Sequence, residues 1–368
     1  MNSRQRFDLA IKHQVPDRVP MDIGATSLTG MKPLCQQQLR DLLGFQGVPT
    51  LVNNGIDERI LEWAGTDFRS VGAIVALPNK HLGPDANASM DCWGIHRELI
   101  DGEYQITRYP LRGATIQDLR AYPWPESRVD EQLLVQWEQQ AKILNQENKY
   151  VVIAEHPVYG ILELGCWMCG YDVFLMQMVL NTDFVRTFFD KVFDIQMKVI
   201  EQYYSVLGAY IDLTTSGDDF GMQTGPLISP RTFQELIAPY FSRRIARTKE
   251  LGQCYYWHHS CGSVYDLIDQ LIDCGVDILN PIQTSAAKME PQKLKERFGD
   301  RIMFWGGVDV QQFLPLATPE QVHQRVRELT QILGDHGGYV MAPAHEMQND
   351  IPPENIIAWV EAAHGAGS

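Results

Sequence analysis

Short runs rich in Val, Ile and Tyr alternate along this chain with longer stretches in which apolar residues recur three or four apart. The runs suit strands covered on both faces, and the stretches suit helices with one apolar stripe. Strand-like runs fall at 19–24, 69–77, 150–154, 210–215, 254–258, 276–280, 302–305 and 339–342. Helical patterns fall at 3–12, where Phe7, Ala10 and Ile11 share a face, and then at 33–44, 56–64, 164–180, 182–206, 230–251, 263–273, 290–298 and 318–333. A last helix begins after Asp350-Ile351-Pro352-Pro353, with proline near its first turn. Eight strand–helix units predict an α/β fold, a (β/α)8 barrel of the TIM type. The alternative, an open doubly wound sheet, lacks its usual Gly-x-Gly-x-x-Gly after an early strand.

One segment departs from this rhythm. Residues 78–130 hold many Gly, Pro, Asp and Trp, and read as an irregular insertion over one end of the barrel with a hairpin near 93–109. The 368 residues, enough for two average domains, are thus read as one barrel domain spanning 1–368. Hydrophobic residues make up 45% and charged residues 21%, which excludes a disordered or collagen-like chain. Lys and Arg number 31 against 46 Asp and Glu, a formal net charge of −15. A surface this acidic repels phosphate backbones, so no nucleic acid partner is expected, and a polyanionic substrate would need a local basic pocket. No apolar run reaches the roughly 18 residues of a membrane span, and no apolar core follows the charged N-terminus. A cytoplasmic protein is expected. In that setting seven cysteines are thiols or metal ligands rather than a disulfide framework.

In a barrel, chemistry gathers at the C-terminal ends of the strands. Those ends carry Asp22 and Thr26; Glu155 and His156; Ser216, Asp218 and Asp219; His258, His259 and Cys261; Asn280 and Gln283; Asp309; and His345 and Gln348. Any one of these alone is equally explained as a cap or a solvated loop residue. The sharpest feature is Trp257-His258-His259-Ser260-Cys261-Gly262. On an extended segment residues two apart point the same way, so His259 and Cys261 can converge. Imidazole nitrogen and thiolate sulfur are preferred zinc ligands, and a catalytic zinc takes three protein ligands and keeps one position open. His345, in Ala342-Pro343-Ala344-His345-Glu346, would supply the third from another strand end; otherwise it is a loop histidine bonded to a backbone carbonyl. Glu155, Glu163 and Asp219 are candidates for a fourth ligand.

Asp22, Asp218, Asp219, His258 and Gln348 are the catalytic candidates. Paired carboxylates do acid–base work, bind a cation or orient an imidazole, or else cap a turn. Cys166-Trp167-Met168-Cys169 has Cys-x-x-Cys spacing but no second pair, and it lies in an apolar helical stretch. Its cysteines, with Cys35, Cys92, Cys254 and Cys274, are read as buried small apolar residues. Trp167, Met168, Met176 and Met178 are read as core.

Several segments in order carry a resemblance: Pro16-Asp17-Arg18-Val19-Pro20; Gly217 to Gly225 running into Ile228-Ser229-Pro230; His259-Ser260-Cys261-Gly262; Phe304-Trp305-Gly306-Gly307-Val308-Asp309; and Gly338 to Gln348 with Pro352-Pro353-Glu354-Asn355. Over nearly its whole length the chain resembles the uroporphyrinogen decarboxylase superfamily, whose fold is a (β/α)8 barrel. True decarboxylases of that superfamily carry Arg-Gln-Ala-Gly-Arg near the first strand, to bind porphyrinogen propionates. Here that place reads Met21-Asp22-Ile23-Gly24-Ala25-Thr26, without arginine. The chain is more similar to the branch of zinc-dependent methyltransferases that work with corrinoid proteins. That branch includes methylcobalamin:coenzyme M methyltransferases and enzymes that demethylate methoxy compounds.

The resemblance implies a zinc held by His259 and Cys261, with His345 where the coenzyme M enzymes use a distant cysteine. It implies a small-molecule methyl donor or acceptor as substrate. It also implies a corrinoid (cobalamin) supplied by a separate partner protein, because no Asp-x-His-x-x-Gly motif occurs in this chain. The competing expectations are a decarboxylase of a small carboxylic acid with Asp22 as its catalytic group, and a non-catalytic barrel that binds a corrinoid protein. The substrate is not named by the sequence, and a homodimer is left open.

Overall fold

In the computed structural model, which describes residues 1–74, 76–77, 80–81, 87–100 and 102–365, the described residues form thirteen strands. They are β1 (Phe68–Gly72), β2 (Lys80–His81), β3 (Ala88–Met90), β4 (His96–Ile100), β5 (Glu103–Arg108), β6 (Val151–Glu155), β7 (Leu213–Thr214), β8 (Gly221–Met222), β9 (Gly225–Pro226), β10 (Tyr255–His259), β11 (Ile278–Ile282), β12 (Met303–Val308) and β13 (Tyr339–Pro343). Seven pair in parallel in the order β1-β6-β7-β10-β11-β12-β13, with helices between them. Parallel strands covered on both faces must be apolar on both, and β1, β6, β11, β12 and β13 are buried at every position.

The eighth position belongs to the first expected strand, 19–24, which shrinks to one bridge. Met21 pairs in parallel with Met341 of β13. On its other side Met21 O accepts from Asp67 N at 3.0 Å, next to β1. Pro20 has no N–H to extend this pairing, and Gly24 at φ +86° turns the chain away. The barrel therefore closes through Met21.

Inside the barrel, Phe68 and Trp257 pack against Trp305 with ring centroids 4.5 and 5.6 Å away. The opening helix, Ser3–Ile11, packs Phe7, Ala10 and Ile11 into this same cluster and so plugs the N-terminal end. The expected periodicity of Phe7, Ala10 and Ile11 thus marks the buried face.

Some boundaries differ from expectation. The stretch 164–180 is two helices, Ile161–Cys169 and Tyr171–Leu180, because Gly170 sits at φ +92°. The stretch 230–251 contains a wider turn over Phe233–Ile237, where Pro239 removes a backbone donor. The run 69–77 is regular only to Gly72, and residue 75 lies outside the described residues. The insertion expected at 78–130 lies partly outside them too. Its described part carries the antiparallel sheet β2-β3-β4-β5, including the β4–β5 hairpin, and then the helix Ile116–Ala121; a further helix, Glu131–Glu147, follows it. No helix among the described residues is long and apolar enough to cross a membrane.

Candidate metal centre

Two loops at the C-terminal end of the barrel build the site, and they are laced together. Asp218 N donates to His259 O at 3.1 Å, Phe220 N to Ser260 Oγ at 2.8 Å, Cys261 N to Asp219 Oδ1 at 2.7 Å, and Ser263 N to Met222 O at 2.8 Å. The backbones come so close that glycine is required on both sides. A Cβ on Gly221 would lie 2.5 Å from Cys261 O, and one on Gly262, at φ +78°, would lie 2.7 Å from Met222 N.

The strand period then sorts the two histidines of β10. Trp257 and His259 point into the barrel, and Tyr256 and His258 point to the helix layer. His259 Nε2 lies 3.2 Å from Cys261 Sγ, and its ring centroid lies 5.5 Å from that of His345. One ligand atom from each of His259, Cys261 and His345 lies within 4.8 Å of the others. Bonds of 2.0–2.3 Å to a tetrahedral zinc put nitrogen and sulfur about 3.5 Å apart, so the first pair already fits, and a small side-chain adjustment completes the set.

The surroundings prepare these atoms. His259 Nδ1 meets Asn280 Oδ1 at 2.6 Å, while Asn280 Nδ2 donates to Trp305 O at 3.3 Å. That second bond turns the amide oxygen toward the ring, so Nδ1 carries the proton and Nε2 is left as the ligating lone pair. Burial pushes the His345 ring down to about 4, which keeps it neutral and able to ligate at pH 7. Burial, followed by the carboxylates of Asp219 and Glu163, pushes the Cys261 thiol well up. A metal would reverse that, because coordination deprotonates a thiol outright.

The remaining candidates separate. Asp218 is fully buried beneath the site. It accepts from Leu162 N and Glu163 N at 3.0 and 2.9 Å, and so caps the helix Ile161–Cys169. Asp219 faces a cavity of about 240 Å3, whose wall also includes His156, Glu163, His259 and His345. Burial, then Asp219 and Asp218, hold the Glu163 carboxyl well above its usual range.

Asp22 is 0% exposed, with Oδ1 accepting from Ala25 N at 2.9 Å and Oδ2 from Trp305 Nε1 at 3.2 Å. Burial raises it to about 7, and it does not line the cavity. Gln348 donates to Glu346 O at 3.1 Å and is not part of the cavity wall either. His258 stands apart from the cluster. Its Nδ1 meets Ser216 Oγ at 2.9 Å, and its ring packs on Phe220 and Phe241 behind the sheet, away from the donor cluster.

The cysteine reading also divides. Cys166 and Cys169 are buried with thiols pushed up by burial, and no disulfide forms among the described residues. Trp167 packs against the core and also forms a wall of the cavity, and Met176 is 61% exposed. Glu163 and Trp167 lie four apart on one helix face, a spacing legible in the sequence once that face is known to meet the barrel mouth. Asn280 carries no such local signal.

A (β/α)8 barrel whose C-terminal mouth holds a His–Cys–His donor set is the class that fold and site define. The family described as Uroporphyrinogen decarboxylase (URO-D) matches residues 115–366, and the chain belongs to that family. Among curated relatives, it is 26% identical over 145 residues to the uroporphyrinogen decarboxylase of Psychromonas ingrahamii, covering 38% of each chain. It is 31% identical over 136 residues to the methylated-thiol–coenzyme M methyltransferase of Methanosarcina mazei, covering 37% of this chain and 34% of that one. The match thus spans less than two fifths of the length of either relative. In fold, it is similar to a solved methyltransferase from Methanosarcina mazei, with a TM-score of 0.66 and 17% identity over 99% of both chains.

Proposed function

We propose that this protein is a zinc-dependent methyltransferase that moves a methyl group between a small donor or thiol and the corrinoid of a separate protein. The donor cluster of His259, Cys261 and His345 carries this reading. Zinc would supply Lewis acidity there, lowering the pKa of a bound thiol or polarising an ether oxygen. The chain's own residues do the rest. Asn280 holds the His259 tautomer, and the low proton affinity of buried His345 keeps its ring available. Asp219, already bonded to the Cys261 N–H, is placed to receive the thiol proton. The cavity beside the cluster takes the small molecule, and the corrinoid protein docks over the barrel mouth. The likeness to a methylated-thiol–coenzyme M methyltransferase supports the same reading.

Decarboxylation with Asp22 as the catalytic group has less support. Both Asp22 oxygens are engaged within the barrel, and no Arg or Lys among the described residues lines the cavity to hold a carboxylate. Metal analysis of protein prepared with zinc tests the proposal. About one equivalent is expected, with loss of metal and of methyl transfer in Cys261→Ser. Less than about a tenth of an equivalent in the parent protein sinks it.

A further inference from the structure

Resting on that reading, we infer that the cavity selects a small molecule bearing an ammonium group, of the methylated-amine class, and rejects carboxylates and sulfonates. Three walls carry this. Tyr159 and Trp167 both line the cavity, with ring centroids 5.0 Å apart and planes at 85°, the corner of an aromatic box. Glu163 stands on the same helix as Trp167, four residues earlier, and faces the same space with Asp219. Aromatic faces at right angles beside a carboxylate attract a desolvated cation through the ring quadrupole and through charge. The remaining wall includes the apolar Leu28 and Ile74, which suit methyl groups. A volume of about 240 Å3 lies below that of drug-sized pockets, so the ligand is small.

The charge balance agrees. Among the described residues, no Arg or Lys lines the cavity. Three cations lie near it, and each has a negative or polar partner. Arg97, 5.6 Å from the Trp167 ring, is bonded to Asp91 at 2.6 Å. Lys32, whose charge reaches His345, pairs with Glu346 at 3.2 Å. Arg244, behind the wall, donates to Tyr159 O at 3.2 Å, and its charge is offset by buried Asp218. Glu163 and Asp219 are the acids that face this space, and a bound cation would favour the ionised form of Glu163 against the burial and neighbouring carboxyls that hold its proton. A bound cation meets acids and aromatic rings there, whereas a bound anion meets no cationic side chain in the lining among the described residues.

Three molecules of nearly one shape test the inference by calorimetry on the zinc-loaded protein: choline, its neutral analogue 3,3-dimethylbutan-1-ol, and the anion 3,3-dimethylbutanoate. Choline is expected to bind at least about tenfold tighter than the alcohol, with the carboxylate weakest. Glu163→Gln should cut the preference for choline to about threefold or less, and Trp167→Leu should weaken choline more than the alcohol. Zinc content unchanged in both variants shows that the metal site is intact, and alcohol binding that persists, though weaker in Trp167→Leu, shows that the cavity still forms. Equal binding of choline and alcohol, tightest binding of the carboxylate, a charge preference that survives Glu163→Gln, or no binding of any of the three overturns the inference. A parent protein that does not hold zinc overturns the proposed function instead, so the two failures are distinct.

Discussion

The two ends of the barrel bury carboxylates in opposite ways. At the N-terminal end Asp67 is fully buried and fully paired. It receives Arg6 at 2.6 Å, Arg18 at 2.8 Å and the backbone N–H of Met21 at 2.9 Å. Asp17 continues the network through Arg6 at 2.7 Å. At the C-terminal end Asp22, Glu155, Glu163, Asp218 and Asp219 have no Arg or Lys within ion-pair distance among the described residues. They are held by backbone N–H groups, hydroxyls and an indole. Glu155, for example, takes Ser27 N and Thr215 Oγ1, each at 3.0 Å, and burial raises its carboxyl. Charge satisfied inside the protein locks the closure of the barrel at Met21. At the C-terminal end burial raises the carboxyls of Asp22, Glu155 and Glu163, and of the five only Glu163 and Asp219 face the cavity, where a metal or a ligand can meet them. The Asp17-Arg18 segment, one of those behind the family resemblance, therefore belongs to the scaffold.

Substitutions at the two ends should separate these roles. The largest effect is expected from His259→Ala or Cys261→Ser, which should lower methyl transfer by about a thousandfold or more with little change in thermal unfolding. A stable variant that keeps its metal would break the comparison. Asp67→Ala should do the reverse. It leaves half-buried Arg18 without a carboxylate and buried Arg6 with only Asp17, and should cost about 3 kcal/mol in chemical denaturation while zinc per folded protein stays constant.

Asp22 gives the comparison a pH signature. Its folded carboxyl is raised to about 7 from an ordinary value near 3.8, so the folded protein holds a proton that the unfolded chain gives up. Stability from this group is complete below the unfolded value and is lost as pH rises through 7. Asp22→Asn removes that loss, so from pH 4 to 8 the variant should gain on the parent by roughly 2–4 kcal/mol, whatever its constant offset. A difference in urea stability that is flat with pH would contradict this.

Asn280→Ala should weaken zinc about 10- to 100-fold in a chelator competition, because the His259 tautomer loses its anchor. The smallest effect belongs to His258→Phe. Zinc affinity should stay within about twofold, with a stability change of about 1 kcal/mol from the lost Ser216 bond.

Much of the fold was legible because burial on both faces forces an apolar run at each strand and a stripe at each helix. The departures sit where one backbone feature outweighs the pattern. They are the missing N–H of Pro20 and of Pro239 and the left-handed turns at Gly24 and Gly170. The site was legible where its signal was local. His259 and Cys261 lie two apart on an extended segment, and the structure brings their ligand atoms to 3.2 Å. It was not legible where roles depend on which face a residue takes. His258 and His259 are the same residue type side by side, and only the direction of β10 sends one to the helices and the other to the mouth. Trp167 and Met168 divide in the same way between cavity and core.

The sequence by itself determined the barrel, the acidic balance, the family and the His-x-Cys donor pair, because periodicity, charge count and short spacing survive in one dimension. Tertiary structure alone decided that the His345 ring, named in the sequence, comes within 4.8 Å of that pair, that Asn280 sets the His259 tautomer, that Asp22 and Asp218 are buried beneath the site, and that Tyr159, Glu163 and Trp167 share one cavity. Each of these depends on bringing together strand ends and loops that lie tens to hundreds of residues apart, and only closure of the barrel sets those distances.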